Sequence, residues 1–331
     1  MRLYNIAVVG ATGLVGRKIV QLLEDRKFPV GEIRFLASER SAGKEVLFGG
    51  TTHHVRRLTP ESFHSVAIAL FSAGSAVSKE FAPFAVRAGA VVIDNSSAFR
   101  MEKDVPLVVP EVNRRTIFHH KGIIANPNCS TIQMVVPLKP LHDRYTIRRI
   151  VVTTFQAVTG AGNRGVIQLE REIAHGDPKP DAFPHQIALN VLPHVDMFSD
   201  DGYTREEHKM IRETKKIMGD DSIRVQPTCT RVPVFGGHSE SVNVEFEKKF
   251  DLPAVIEILR GAPGVAVQDD PENNVYPMPI KSGDTDPVYV GRIRRDETIA
   301  NGLSLWIVAD NVRKGAATNA VQISEELIKG H

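Results

Sequence analysis

Asn126-Pro127-Asn128-Cys129-Ser130-Thr131 places a cysteine directly after a good N-cap residue, with a helix-forming run (Ile132-Gln133-Met134-Val135-Val136) behind it. A thiol at the first helical position faces unpaired N–H groups and the positive end of the helix dipole. Both favour thiolate over thiol, and so make a strong nucleophile near neutral pH. The competing reading is an inert buried cysteine, a common fate for this residue. Of the 12 histidines, His238 follows two glycines and lies between two strand-like runs, where a base can reach a thiol. Gln156 ends a β-rich run and can aim an amide at a substrate. Arg100 lies just past another strand end, placed to hold an anion, although a lone loop arginine is more often a surface charge. Glu206 and Lys209 share one face of a helix, an arrangement that is usually solvated.

These residues need a scaffold, and the N-terminal half reads as a nucleotide-binding one. A strand over Asn5–Val9 feeds Gly10-Ala11-Thr12-Gly13-Leu14-Val15-Gly16, and helical spacing follows to about Asp25. In a strand–turn–helix setting the first glycine permits the tight turn, the second lets a pyrophosphate approach, and the third lets helix and strand pack. As a bare string G-x-x-G-x-x-G is weak, and a βα turn without ligand is the alternative. A second strand, Ile33–Ala37, ends in Ser38-Glu39-Arg40-Ser41, where the adenosine ribose belongs. Glu39 suits the hydroxyls of NAD; Ser38, Arg40 and Ser41 make the better phosphate cradle, which favours NADP. Strands over Val66–Phe71 and Ala90–Ile93 end in small polar residues, Ser72 and Gly74 after the first, as a nucleotide crevice requires. His53-His54 and His119-His120 lack metal-ligand spacing and read as surface histidines; no metal is expected.

In the C-terminal half, Pro137 must bend or end the helix after Cys129 if that helix runs on to Leu141. Arg149–Gln156 reads as a strand leading into the Gly-rich Thr159–Gly165. Asp177-Pro178-Lys179-Pro180 reads as a surface turn. Thr204 and Glu207 form a capping box for a helix to Met218. Val225–Val234 alternates as a strand, with Cys229 and Arg231 on one face, and its flanking prolines suggest an edge or a bulge. A strand over Ser241–Phe246 and another over Leu303–Ala309 follow, the latter ending in Asp310-Asn311. From Arg313 a helix carries amphipathic spacing suited to the core of the first domain.

Composition bounds the function. With 331 residues, 42% of them hydrophobic and 24% charged, there is room for two ordinary globular domains. A formal net charge of +2 gives no reason to expect nucleic acid or an anionic membrane as partner. No uninterrupted apolar stretch approaches the roughly 20 residues needed to span a bilayer. Arg2 and the apolar Ile6–Val9 do not make a signal peptide, since Arg17-Lys18 stand where a cleavage site belongs. Two cysteines form no disulfide framework, which fits a cytoplasmic protein.

The segments GATGLVG (10–16), LASERSAGK (36–44), SSAFR (96–100), NPNCST (126–131), FQAVTGAG (155–162), EEHK (206–209), TRVPVFGGHSES (230–241) and ADNVRKGAA (309–317) resemble, in this order, the aspartate-semialdehyde dehydrogenases. The resemblance spans nearly the whole chain. It implies an α/β fold: a Rossmann-type N-terminal domain (1–127) completed by the C-terminal helix (312–331), and a mixed α/β catalytic and dimerisation domain (128–311). It implies Cys129 as acyl-forming nucleophile, His238 as general acid/base, and Gln156 as the residue orienting the acyl group. Arg231 would clamp the substrate's α-carboxylate, Glu206 its amino group, and Arg100 with Lys209 the phosphate. NADP contacts would come from Thr12, Gly13, Leu14, Val15, Arg40, Ser41, Thr159, Gly160 and Asn311. The partners implied are a small-molecule substrate, inorganic phosphate, and further copies of the chain in a homodimer or homotetramer. Ser75, Pro137 and Phe235-Gly236-Gly237 depart from the family pattern without removing a chemical group. Three rivals share parts of this set: a reductase of N-acetyl-glutamyl phosphate, a cysteine peptidase, and an inactive Rossmann-type paralogue.

Overall fold

The computed structural model describes residues 2–176 and 179–330, so Asp177 and Pro178 of the expected surface turn lie outside the described residues. The fold is mixed α/β, and the chain divides into two compact units. One ends at Pro127 and resumes at Ala316; the other runs Asn128–Gly315.

The first unit contains β1 (Tyr4–Val9), α1 (Leu14–Asp25), β2 (Val30–Ala37), β3 (Glu45–Phe48), β4 (Thr51–His54), β5 (Arg56–Arg57), β6 (Ile68–Phe71), α2 (Ser75–Arg87), β7 (Val91–Asp94), α3 (Pro110–Asn113) and β8 (Ile123–Ala125). Six strands form a parallel sheet in the order β5-β2-β1-β6-β7-β8, with Val8 opposite Phe35 on one side and Leu70 on the other. A parallel sheet must be covered on both faces, which is why its central strands are apolar without alternation. Ile6 and Val8 pack with Ile19, Leu22 and Phe35 on one face; Ala7, Val9 and Phe71 pack with Phe63, Ala82 and Ala85 on the other.

The C-terminal helix (Thr318–Lys329) completes the first of these faces through Ala320, Val321, Ile323 and Leu327. Arg26 clasps Glu325 there through two hydrogen bonds of 2.8 and 2.7 Å. Arg313–Ala317, expected as α-helix, is instead a wide π-helical turn. Asp310 explains it: its carboxylate accepts the N–H groups of Val312 and Arg313, and its carbonyl accepts that of Gly315. These bonds keep the chain in the second unit as far as Gly315. The β3–β4 hairpin also corrects the reading of His53 as a surface residue. Its ring meets Phe35 edge-on at 5.5 Å and is half-buried, whereas His54 is exposed.

The second unit contains α4 (Cys129–Tyr145), β9 (Ile147–Gln156), α5 (Asn163–His175), α6 (Arg205–Met218), β10 (Arg224–Arg231), β11 (His238–Phe246), α7 (Leu252–Gly261), β12 (Val265–Val267), α8 (Pro279–Ser282), β13 (Val288–Asp296) and β14 (Gly302–Ala309). Its sheet is mixed, in the order β10-β9-β11-β14-β13-β12. β10 is an edge strand, as its prolines suggested. It stops at Arg231 and not at Val234, because Pro233 has no N–H and that of Val234 turns back to the carbonyl of Val232. Pro137 does not end α4, and neither does Pro140. An interior proline costs about 3 kcal/mol, yet Ile132, Met134, Val135, Val136, Leu138 and Leu141 of this helix are all buried. At roughly 1.5–3 kcal/mol per buried large apolar side chain, packing outweighs both prolines.

Candidate active site

Sheet topology gathers most of the chemistry at one edge of the second sheet. β9 and β10 run parallel, so their carboxyl ends coincide, with Gln156 beside Arg231. β11 runs antiparallel to β9, so it begins where β9 ends, and its first residue is His238. β14 ends at Ala309 opposite His238. The expected loop histidine is therefore the first residue of a strand, with its side chain fully buried. Asn311, two residues past β14, accepts the N–H of Gly237 at 3.1 Å and exchanges hydrogen bonds with Thr159 at 3.1 and 3.2 Å. A side chain at Gly160 would displace Arg231: a Cβ would lie 2.5 Å from Arg231 Nη1 and 3.2 Å from His238 Nε2.

Cys129 opens α4 as its residue types dictated. Asn128 caps the helix, its Oδ1 accepting the N–H groups of Ser130 and Thr131 at 3.0 and 3.2 Å. The same side chain donates from Nδ2 to Glu206 Oε1 at 2.7 Å, and Asn128 N–H donates to Glu213 at 2.7 Å. Both carboxylates stand on α6, whose capping box forms as expected between Thr204 and Glu207. Glu206 also accepts Gln156 Nε2 at 3.2 Å and pairs with Lys209 at 3.1 Å, and Lys209 reaches Asp196 at 2.7 Å. The Glu206–Lys209 pair is thus no solvated ornament, since Glu206 is buried. Burial works against the Lys209 charge, but Glu206 and Asp196 outweigh it and hold the ammonium above the ordinary lysine range. Neither Cys129 nor Cys229 is in a disulfide. Cys229 is a core residue: burial pushes its thiol far up, and its sulfur rests on that of Met210 at 3.6 Å.

Arg231 is buried, donates to the Ala157 carbonyl at 2.8 Å, and lies 5.6 Å from the Phe183 ring centroid. Burial pulls its guanidinium below the usual arginine range, against the opposing pull of Glu206 and Cys129. Ala157 N–H donates to His238 Nδ1 at 3.0 Å. Burial, with the Arg231 charge adding to it, holds this imidazole well below the ordinary histidine value.

Two positions along β11 lies Glu240, fully buried, with no hydrogen-bond partner for either carboxyl oxygen among the described residues. Burial holds its pKa well above the ordinary glutamate value, and the Gln133 amide opposes this only in part. A carboxyl group raised in the folded state binds its proton more tightly there than in the unfolded chain. Its contribution to stability is therefore full below pH 4.5 and is lost as pH climbs from there towards the folded value. Glu240→Gln removes that loss, so it should raise the thermal midpoint at pH 8 by a few degrees and do less at pH 4.5. Calorimetry at both values checks this, and a lower midpoint at pH 8 would mean an ionised, paired Glu240.

In the first unit the glycines of the expected nucleotide loop sit in close quarters. Gly10 adopts φ +86°, and a Cβ there would lie 2.5 Å from the Ser72 carbonyl oxygen; one on Gly16 would lie 2.1 Å from that of Gly10. The N-caps of α1 and α2 are Gly13 and Gly74, neither of which offers a side chain to its own helix. Those first-turn N–H groups fit a dinucleotide's phosphates. Thr12 reaches Ser41 at 3.5 Å, Ser38 and Arg40 are exposed, and Glu39 is paired with Arg57 at 2.9 Å. Arg100 is buried here, donating to the carbonyls of Asn126 and Asn95, each at 2.9 Å. Among the described residues no group of three or more His, Cys, Asp or Glu side chains is placed to hold a metal, and no helix is long and apolar enough to cross a membrane.

Glu213 and the Ala157 peptide were not foreseen. Glu213 had a signal, standing seven residues after Glu206 and so on the same helical face. The Ala157 peptide had none, because backbone groups leave no mark in composition.

Residues 5–120 match the semialdehyde dehydrogenase NAD-binding domain, and residues 138–314 match the semialdehyde dehydrogenase dimerisation domain. The chain is 56% identical to the aspartate-semialdehyde dehydrogenase of Aquifex aeolicus, over 98% of each protein. Among solved structures, aspartate semialdehyde dehydrogenase II of Vibrio cholerae, complexed with ASA, superposes with a TM-score of 0.96 at 48% identity, over 99% of each chain. The enzyme of Candida albicans with NADP follows at 0.79 and 27%, again over 99% of each chain. Likeness of this degree, end to end and through both domains, assigns the oxidoreductase family: the chain belongs to the aspartate-semialdehyde dehydrogenases.

Proposed function

We propose that the protein reduces L-4-aspartyl phosphate to L-aspartate 4-semialdehyde with NADPH, through a thioester on Cys129, in the biosynthesis of lysine, threonine, methionine and isoleucine. The observation that carries this reading is a pair of opposite charges on the residues around Gln156. Arg231 neighbours Gln156 across the strand pair, and the Glu206 carboxylate accepts the Gln156 amide and the amide of Asn128, the cap of Cys129. A guanidinium for a carboxylate and a carboxylate for an ammonium are the two recognition groups of a free α-amino acid. N-acetyl-glutamyl phosphate, whose acetamide has no charge for Glu206, fits less well. An inactive paralogue has no use for Cys129, and a peptidase has none for the Gly10–Gly16 cradle.

The Cys129 thiolate attacks the acyl carbon, the C–O bond to phosphate breaks, and phosphate leaves with the electron pair, held by Arg100 and Lys209. Gln156 orients the acyl group, and His238 acts as general acid/base. Gly10, Thr12, Gly13, Leu14, Val15, Ser38, Arg40, Ser41, Ser72, Gly74, Thr159, Gly160 and Asn311 would hold the dinucleotide, which when bound supplies hydride to the thioester carbon. A thiolate is a good leaving group, so the tetrahedral adduct collapses to aldehyde and regenerates Cys129. NADP over NAD is favoured because Glu39 is occupied by Arg57 while Arg40 and the serines stand beside it. The match to a dimerisation domain supports a homodimer or homotetramer, and we place the protein in the cytoplasm.

The test is absorbance at 340 nm with aspartate semialdehyde, phosphate and either NADP or NAD. Phosphate-dependent NADPH formation supports the reading. Turnover confined to N-acetyl-glutamate semialdehyde would replace it with the rival reductase.

A further inference from the structure

We infer that Asp196 is an internal competitor of phosphate: its carboxylate occupies the Lys209 ammonium between turnovers, and phosphate binds by displacing it. Asp196 thereby sets how tightly phosphate is held and helps to expel it once the acyl group has passed to sulfur. This deepens the phosphate role proposed above for Lys209 and rests on it.

The local chain geometry aims this side chain. Asp196 stands in the left-handed region at φ +69°, where a non-glycine residue is uncommon and aspartate is among the few that tolerate it. Its Oδ1 accepts the N–H of the next residue, Met197, at 2.8 Å, which fixes the carboxylate against its own backbone. The segment is pinned on both sides to elements that carry the site. Leu192 and Arg231 exchange backbone hydrogen bonds of 2.9 and 2.8 Å, and Arg205, which opens α6, donates to the Met197 carbonyl at 2.8 Å. The other carboxylate oxygen, Oδ2, meets Lys209 Nζ at 2.7 Å.

Lys209 is therefore one ammonium shared by two carboxylates, Asp196 at 2.7 Å and Glu206 at 3.1 Å. Phosphate in addition would put three anions on one cation, so a partner has to give way. Glu206 is poorly placed to do so: its side chain is 6% exposed, and it also accepts the amides of Asn128 and Gln156. Asp196 is well placed. Its side chain is 31% exposed, and among the described residues Lys209 is the one side chain that hydrogen-bonds it. Burial works against its charge, but Lys209, the Met197 N–H and Arg205 outweigh it and hold the carboxyl below the ordinary aspartate range. The displaced group is thus a full anion at neutral pH, still tethered beside the ammonium. Lys209 is itself 26% exposed, so an anion from solution has access to it.

Such an exchange suits the order of events. Phosphate has to be gripped while the C–O bond to it breaks, and is a product thereafter. A lysine with no carboxylate waiting would retain that product. Asp196 returns as an intramolecular partner at high effective concentration, so the ammonium trades one anion for another and is never left bare.

Asp196→Asn removes the charge and keeps the rest, because asparagine tolerates positive φ and its Oδ1 can still accept the Met197 N–H. NADPH formation from aspartate semialdehyde, titrated with inorganic phosphate, should show a KM for phosphate lowered about three- to fivefold, the scale of an ion pair open to water. Asp196→Gly, which suits the same φ, should show the same fall. In the biosynthetic direction, inhibition by added phosphate should strengthen by the same factor. A KM for phosphate that rises means that Asp196 only steadies Lys209, and one that does not move means no competition; either overturns the inference. Lys209→Met separates this from the reading beneath it. That variant should raise the KM for phosphate, and adding Asp196→Asn to it should change nothing more, since the contested ammonium is gone. A fall that persists in the double variant means repulsion at a distance in place of occupancy, and also overturns the inference. If Lys209→Met alone leaves the KM for phosphate unaltered, the phosphate role of Lys209 fails, and the competition falls with it.

Discussion

Cys129→Ala should lower turnover by at least about 10⁴-fold, the scale on which enzymes lose activity when a covalent nucleophile is removed. The loss should come without unfolding. Only Sγ is removed; the Cβ that packs on Gly315 remains, and the Asn128 cap and its bonds to Glu206 and Glu213 do not involve the sulfur. A change in stability under about 1 kcal/mol is therefore expected. Single-turnover mixing with aspartyl phosphate should show no phosphate burst, and the melting curve should overlay that of wild type. Cys129→Ser would be nearly as inactive, because a hydroxyl at a helix start stays protonated at neutral pH where a thiol need not. More than about 1% residual turnover in the alanine variant would remove the thioester from the mechanism.

Arg231→Lys should reduce kcat/KM for aspartate semialdehyde by roughly 10²–10³, in the 2–5 kcal/mol range for disrupting a buried charged pair. Charge is retained by the substitution, so the loss measures geometry. Arg231 spends Nη1 on the Ala157 carbonyl and keeps its other donors for a ligand. A lysine has one ammonium to serve both, and no planar fork to match a carboxylate. Most of the change should fall in KM. A control substrate lacking the α-carboxylate, 3-aminopropanal, should be turned over equally by both enzymes. A comparable loss with that substrate would mean that Arg231 acts through the Ala157 peptide on His238 and not on the carboxylate.

Local signals in the chain were legible where a side chain acts within its own element. Asn128 before Cys129, Thr204 with Glu207, and the glycines from 10 to 16 each express a rule that holds within one turn of helix or loop. The row Gln156–Arg231–His238 was not legible by such rules, because register between β9, β10 and β11 is set by which strands pair, and those strands are far apart in sequence. His238 and Gln156 stood out by their places at strand ends and Arg231 by the family resemblance, in each case without the reason they converge. Pro137 and Pro140 show the reverse case, a sound local rule overridden by the apolar burial of α4. Glu240 escaped notice because it precedes the strand expected over Ser241–Phe246, whereas β11 begins at His238 and buries it.

The helix Thr318–Lys329 sets the order in which the chain can finish folding. About 190 residues separate Pro127 from Ala316, and at roughly 5–20 residues per second a ribosome needs roughly 10–40 s to cross them. Throughout that interval one face of the nascent parallel sheet, with Ile6, Val8 and Phe35, lacks the part of its cover that Ala320, Val321, Ile323 and Leu327 supply. The intervening unit is synthesised in full before that cover exists. The half begun first is thus the half completed last, and its open face is where a chaperone should be found on stalled chains.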